Sequence, residues 1–200
     1  MKRTTIKNHV VQNIHPIKFN KLTKHGYIIL DIEPASDNKS VFWLHISEFN
    51  GDGTVRAKTD IVNIKSASFN PAKQAHMLEV LDQPFSELVS SKLAMRRQAR
   101  DFFTGARRRL PIFIYGQALD PALLTTLLRD RMVNLIDLQS VYAKSSKMTA
   151  LPALSMVAEI MTGGAVSRQH TDVHSPIEDV KMTNVVLQGM MQAVRTHYNQ

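Results

Sequence analysis

The apolar positions of this chain fall into short dense runs of two kinds, some compact and some spaced at helical intervals. Tyr27-Ile28-Ile29-Leu30-Asp31-Ile32-Glu33 is nearly continuous, the pattern of a strand buried on both faces, and Pro34 closes it. Val41 to Phe49 is a second strand-like run. The turn Asn50-Gly51-Asp52-Gly53 follows, then a third run over 54 to about 64, which makes the pair a hairpin by its turn chemistry. A meander of three antiparallel strands, with 27–33 as its first member, is the simplest arrangement. Residues 111–115 and 133–137 predict two further short strands.

Helical spacing dominates elsewhere. Asn70-Pro71 opens a mostly helical region to about Gly105, interrupted near Gln83-Pro84, in which Leu88, Leu93, Ala99, Phe102 and Phe103 can face a core. Lys92, Arg96, Arg97 and Arg100 lie mainly on its other faces. Asp120-Pro121 begins a helix to about 130, helices follow at about 138–145 and 150–161, and the last runs from Pro176 to about His197. Residues 1–24 are polar and basic with little periodicity. They read as an extension, partly mobile or packed over the domain edge, with 25–200 as one domain. Strands first, then strands alternating with helices, predict an α/β fold: a mixed sheet with helices packed on it.

Composition narrows the chemistry. Two hundred residues with 44% apolar content suit one soluble domain with a real core. With no cysteine, disulfides and thiolate metal sites are excluded, so any metal here must use oxygen or imidazole ligands. No stretch approaches the ~20 apolar residues of a membrane span. The expected compartment is the cytoplasm, with no membrane partner. A net charge of +8 favours polyanionic partners, nucleic acid first.

Candidate chemistry sits at the ends of the predicted elements. Asp31 and Glu33 alternate on one strand and so share a face. Two like charges there are tolerable if exposed but costly at the end of a buried strand unless a cation sits between them. Asp120 before Pro121 is, taken alone, what a helix N-cap looks like, with a metal ligand as the other reading. In His174-Ser175-Pro176-Ile177-Glu178-Asp179, Ser175, Pro176 and Glu178 spell a helix start of the capping-box kind. His174 then lies just outside the helix and Asp179 one turn inside, where both can face one cavity. The Arg107-Arg108-Arg109 run suits a solvated loop or a phosphate clamp, and His170-x-Asp172-x-His174 an irregular surface loop or a metal trio. There is no phosphate-binding Gly-rich loop, no Gly-x-Ser-x-Gly and no cysteine nucleophile.

Taken together, these residues resemble the DnaQ-like, DEDDh family of 3′–5′ exonucleases. Tyr27 to Glu33 is similar to its first motif, Phe113 to Asp120 to its second, and His174 to Thr183 to its third. His76 with Pro84-Phe85-Ser86-Glu87-Leu88, the stretch 134–138 and Leu151-Pro152-Ala153-Leu154 are similar to the segments between the motifs. The resemblance covers roughly residues 25–195. Pro34 stands where the family has a hydroxyl residue, Tyr115-Gly116 where it has His-Asn, and Pro121 directly after Asp120 is a further departure. The resemblance implies a ribonuclease H-like fold, with a mixed five-stranded sheet flanked by helices. It also implies phosphodiester hydrolysis from a 3′ end with two Mg²⁺ or Mn²⁺ ions held by Asp31, Glu33, Asp120 and Asp179, and His174 as general base. Single-stranded DNA or RNA is the expected substrate, with a larger replication, repair or RNA-processing assembly as a further expected partner. The rival expectation is a catalytically weak or inactive binding module that retains the fold.

Overall fold

The structure, a computed structural model, describes residues 9–11, 15–34, 41–62, 92–116, 134–165 and 175–198. In chain order these form β1 (His9–Val11), α1 (Phe19–Leu22), β2 (Tyr27–Pro34), β3 (Val41–Phe49), β4 (Val55–Val62) and α2 (Lys92–Phe102). They continue with β5 (Ile112–Ile114), β6 (Asn134–Asp137), α3 (Leu138–Ser145), α4 (Leu154–Thr162) and α5 (Pro176–Tyr198). The strands make one sheet in the order β1-β6-β5-β2-β3-β4. The meander β2-β3-β4 is antiparallel, whereas β2, β5, β6 and β1 run parallel to their neighbours.

The near-continuous apolar run of β2 is explained by its central place, since it is covered on both faces. Ile28, Leu30 and Ile32 point to a core shared with Leu44, Ile46, Met95, Ala99 and Phe102, so α2 covers that side. Tyr27 and Ile29 point the other way, to a core built with Phe113, Val141, Val157, Val180 and Leu187 from α3, α4 and α5. Entry into β2 requires Gly26. Its φ is +104°, and a Cβ there would come within 2.6 Å of the Phe49 carbonyl oxygen at the end of β3.

The five expected strands are all present, and the fold is α/β, a mixed sheet with helices on both faces. The sheet has a sixth member, β1, whose three residues pair with 134–136 of β6. Three residues are too few to display alternation, so tertiary pairing alone reveals this strand. The polar N-terminal stretch also sends Phe19 into the core, fully buried and edge-on to Phe113 at 5.5 Å. The helix expected from about 150 starts at Leu154. Pro152 and Ala153 precede it, with Ala153 in extended backbone as N-cap. The helical region from Asn70 to 91, with Leu88, and the helix from Asp120 lie outside the described residues. No described helix is long and apolar enough to cross a membrane.

Candidate active site

Alternation along β2 places Asp31 and Glu33 on the face of Tyr27 and Ile29, the face that α5 covers. Asp31 is half-buried and Glu33 is only 8% exposed. Opposite them on β3 stand His45 and Trp43, and after Glu33 the register slips so that Pro34 pairs with Val41. A bulge of this kind bends the strand just past the two carboxylates. Pro34, which was expected to close the strand, is its last residue.

The seating of α5 is fixed by a polar chain. The Tyr27 hydroxyl donates to Asn184 Oδ1 and accepts from Gln188 Nε2 at 2.7 Å, while Asn184 Nδ2 donates to the Gly53 carbonyl in the hairpin turn at 3.1 Å. Burial pushes the Tyr27 phenol up to about 12, so it remains a neutral hydroxyl able to serve both partners. Upstream of Tyr27, Thr23 Oγ1 meets Met191 Sδ at 3.7 Å and Asn20 Oδ1 accepts from Arg195 at 3.0 Å. The pairs 20–195, 23–191 and 27–184 show the approach to β2 and α5 running in opposite directions. Four strand residues from Tyr27 to Asp31 span ~13 Å. Asp179 lies ~8 to ~14 Å back along α5 from Asn184 and Gln188. Asp31, Glu33 and Asp179 are therefore carried toward the same end of the sheet.

Glu178 and Asp179 occupy the first turn of α5, where acidic groups complement the helix dipole. The capping box expected from Ser175 and Glu178 is not formed. Ser175 is fully buried, and among the described residues its hydroxyl has no hydrogen-bond partner. Its carbonyl accepts the first helical bond from Asp179 N at 3.1 Å. A side chain turned into the interior cannot serve the amides of the helix mouth, and a buried hydroxyl left unpaired costs about 1–3 kcal/mol.

A polar chain that sequence reasoning missed runs across the same face. His45 Nδ1 lies 2.7 Å from Asp60 Oδ1, His45 Nε2 lies 2.8 Å from Ser47 Oγ, and Trp43 Nε1 donates to Asp60 Oδ1 at 2.9 Å. The row Asp31, His45 and Asp60 crosses three adjacent strands. Its signal in the sequence is His45 and Ser47 at alternate positions of the mostly apolar run Val41–Phe49. Both ring nitrogens are engaged and His45 is 2% exposed, so the imidazole is held in one orientation beside Asp31.

Elsewhere the sequence candidates resolve differently. Arg107 is structural: its Nε donates to Glu48 Oε2 at 2.7 Å, and its guanidinium stacks 4.4 Å from the Phe102 ring centre. Arg108 and Arg109 are exposed. Asp137 is fully buried, caps α3 by accepting from Gln139 N at 3.1 Å, and accepts from Gly116 N at 3.2 Å, tying the ends of β5 and β6 together. Continuing the β2–β5 register from Ile29 and Phe113 puts Tyr115 beside Asp31, so Gly116 leaves β5 at the carboxylate end of the sheet.

Asp120 and His174, with His170 and Asp172, lie outside the described residues. Among the described residues, no three His, Asp or Glu side chains are gathered closely enough to hold an ion. The donors at this end are nonetheless carboxylate oxygens, the ligands that hard divalent cations take. Two of them crowd one half-buried strand face. The residues fit such ions in kind.

No family model matches the chain, and no curated protein matches it in sequence. Solved structures do match in fold. The RNase domain of the yeast Pop2 protein superposes with a TM-score of 0.50 at 13% identity, covering 92% of this chain and 83% of that one. CAF1, in a structure of the yeast NOT1 MIF4G domain co-crystallized with it, gives 0.52 at 13% identity, over 92% and 85%. S. pombe Pop2p in a Mg²⁺- and Mn²⁺-bound form gives 0.52 at 9% identity, over 93% and 92%. Over nearly its whole length the chain has the ribonuclease H-like fold of these ribonuclease domains, the fold its motifs resemble.

Proposed function

We propose that the protein is a divalent-metal-dependent 3′–5′ exonuclease acting on single-stranded nucleic acid. The observation that carries this reading is the common end of β2 and α5, where Asp31, Glu33 and Asp179 are brought by the Tyr27–Asn184 anchor. Asp31, Glu33 and Asp179, with Asp120, would hold two Mg²⁺ or Mn²⁺ ions. Such ions, when bound, stabilise the attacking and the leaving oxygen of the phosphodiester. His174, which precedes Ser175 in sequence, would accept the proton of the attacking water, a role that an imidazole suits. The His45–Asp60 pair would hold the sheet rigid beneath Asp31. The net charge of +8 supports a polyanionic substrate. A Mg²⁺- and Mn²⁺-bound neighbour supports the choice of ions, and a neighbour crystallized with NOT1 supports membership of a larger RNA-processing assembly.

One observation favours a second reading, a binding module that retains the fold: the described carboxylates do not by themselves form an ion site. A 5′-labelled single strand incubated with the protein and Mg²⁺ or Mn²⁺ separates the two. The exonuclease shortens it one nucleotide at a time from the 3′ end, and Asp31→Ala and His174→Ala abolish shortening without unfolding the protein. A strand that is bound but stays intact with the wild-type chain sinks the exonuclease reading and leaves the binding module.

A further inference from the structure

A groove of about 650 Å³ opens between α3, α5 and the 3-10 turn Pro16–Lys18, at the opposite end of α5 from Asp179. Its floor includes Met190 and its rim His197, ~16 and ~27 Å from Asp179 along the helix axis, so it is separate from the carboxylate end. The floor is apolar: Val141 and Met190 are buried, Met161 is half-buried, and the ring of Tyr142 is half-buried beside them. The rim is basic: His15, Lys144, Lys147 and His197 line it, and among the described residues no Asp or Glu does.

Lys144 and His197 have an explanation that needs no ligand, because they sit in the last turns of α3 and α5, where cations meet helix carbonyls. Lys147 is the left-handed residue that closes α3, with φ +54°: its N–H and that of Met148 donate to the Lys144 and Ala143 carbonyls at 3.2 and 2.8 Å, and its side chain leaves the helix end beside the groove. His15 caps the 3-10 turn, its Nδ1 accepting the Ile17 N–H at 3.3 Å, which leaves the Nε2–H as the ring's remaining donor.

We propose that this groove binds a nucleoside monophosphate, the base against Tyr142 and the two methionines and the phosphate among Lys144, Lys147 and His15. An inorganic anion has no use for an apolar floor, and an apolar molecule has none for a basic rim. A ligand with a flat π-face and a phosphate uses both, and polarisable thioethers and an aromatic ring suit that face. The volume falls within the ~300–1,000 Å³ usual for small-ligand sites. One floor and one cluster of donors suit a single nucleotide better than the repeated stacking platforms of a strand-binding track.

The proposal does not rest on exonuclease activity, and its test uses none. The full-length protein, labelled at methionine methyl groups, is titrated with adenosine 5′-monophosphate in the presence of EDTA, which withholds divalent ions from the carboxylate end. The Met161 and Met190 signals should shift saturably, with AMP binding at least ~10-fold more tightly than adenosine or inorganic phosphate alone, ~1.4 kcal/mol in binding. Lys144→Ala with Lys147→Ala should weaken AMP by ~10-fold and leave adenosine unchanged, and Tyr142→Leu should weaken both. Several outcomes overturn the proposal: phosphate matching AMP marks a simple anion site, and adenosine matching AMP a merely apolar groove. An oligonucleotide moving these signals where AMP does not marks a strand track, and silent methyl signals mark no site.

Discussion

The Tyr27 hydroxyl donates to Asn184 Oδ1, joining the first residue of β2 to the middle of α5 across 157 positions of sequence. Gln188 donates to the same oxygen, and Asn184 continues to the Gly53 carbonyl. Strand, helix and hairpin turn are thus fixed to one another through a single phenol. Tyr27→Phe keeps the ring stacked on Phe49 at 5.3 Å but removes the shared oxygen. Two partly buried amide side chains then lose a partner, so the variant should be less stable by about 1–3 kcal/mol in urea unfolding. Because this anchor sets how far Asp179 reaches toward Asp31, strand shortening should fall by more than the unfolded fraction explains. A variant with wild-type stability and rate would show that the seating of α5 depends on apolar packing alone.

Asp31 and Glu33 share a half-buried strand face, and like charges so placed repel. An ion that binds the folded chain and not the unfolded one stabilises it by ~2.7 kcal/mol at a hundred times its dissociation constant. Mn²⁺ should therefore raise the melting temperature of the wild-type protein, and EDTA should reverse the gain. Asp31→Asn relieves the repulsion while weakening the ion site, so its metal-free melting temperature should equal or exceed that of the wild type and its response to Mn²⁺ should be largely lost. A Mn²⁺ response retained in full by Asp31→Asn would place the ion elsewhere.

Glu48 supplies a pH test of the fold. Burial alone would raise its carboxyl, but hydrogen bonds from Arg107 and Arg56 outweigh burial and hold it below the ordinary carboxylate range. A group whose folded pKa is depressed adds stability above its unfolded pKa of ~4.3 and loses it as pH falls through the folded value. The wild-type protein should therefore lose stability on acidification below about pH 4.5, and Glu48→Gln should flatten that part of the curve. At neutral pH the same change should cost about 1–3 kcal/mol, the range for bonds to a charged group, discounted because both arginines are partly exposed. Parallel acid curves for the two proteins would assign the loss to other carboxylates.

Much of this was legible in sequence because local signals and tertiary needs agree. The unbroken apolar run of β2 announced a central strand, Asn50-Gly51-Asp52-Gly53 announced its hairpin, and Pro176 the start of α5. Alternation alone put Asp31 and Glu33 on one face. What escaped were features set by distant partners. β1 is too short to carry a period, and Ser175 has the residue type of a cap while its burial denies it the role. His45 and Asp60 are fifteen residues apart and meet only because β3 and β4 pair in one register. Glu48 and its partner Arg107 stand fifty-nine positions apart, a separation that no local pattern spans.

Gly189 tests the packing of α5 on α4. In an exposed helix, replacing Gly by Ala stabilises by about 0.5–1 kcal/mol, because glycine loses more backbone freedom on folding. Here a Cβ would meet Met161 of α4 at 2.6 Å from Sδ, 2.9 Å from Cγ and 3.0 Å from Cβ. The thioether could swing aside, but the contact at Met161 Cβ moves only with the helix. Overpacking of this kind costs about 1–3 kcal/mol, which exceeds the propensity gain. Gly189→Ala should therefore be destabilised by about 1 kcal/mol in urea unfolding. Met161→Ala in the same chain should reduce that cost, because the contacts at Sδ and Cγ go and only the one at Cβ remains. A stabilised single variant would mean that α4 and α5 separate without penalty, and a cost undiminished in the Met161→Ala background would mean that the clash is not what limits residue 189.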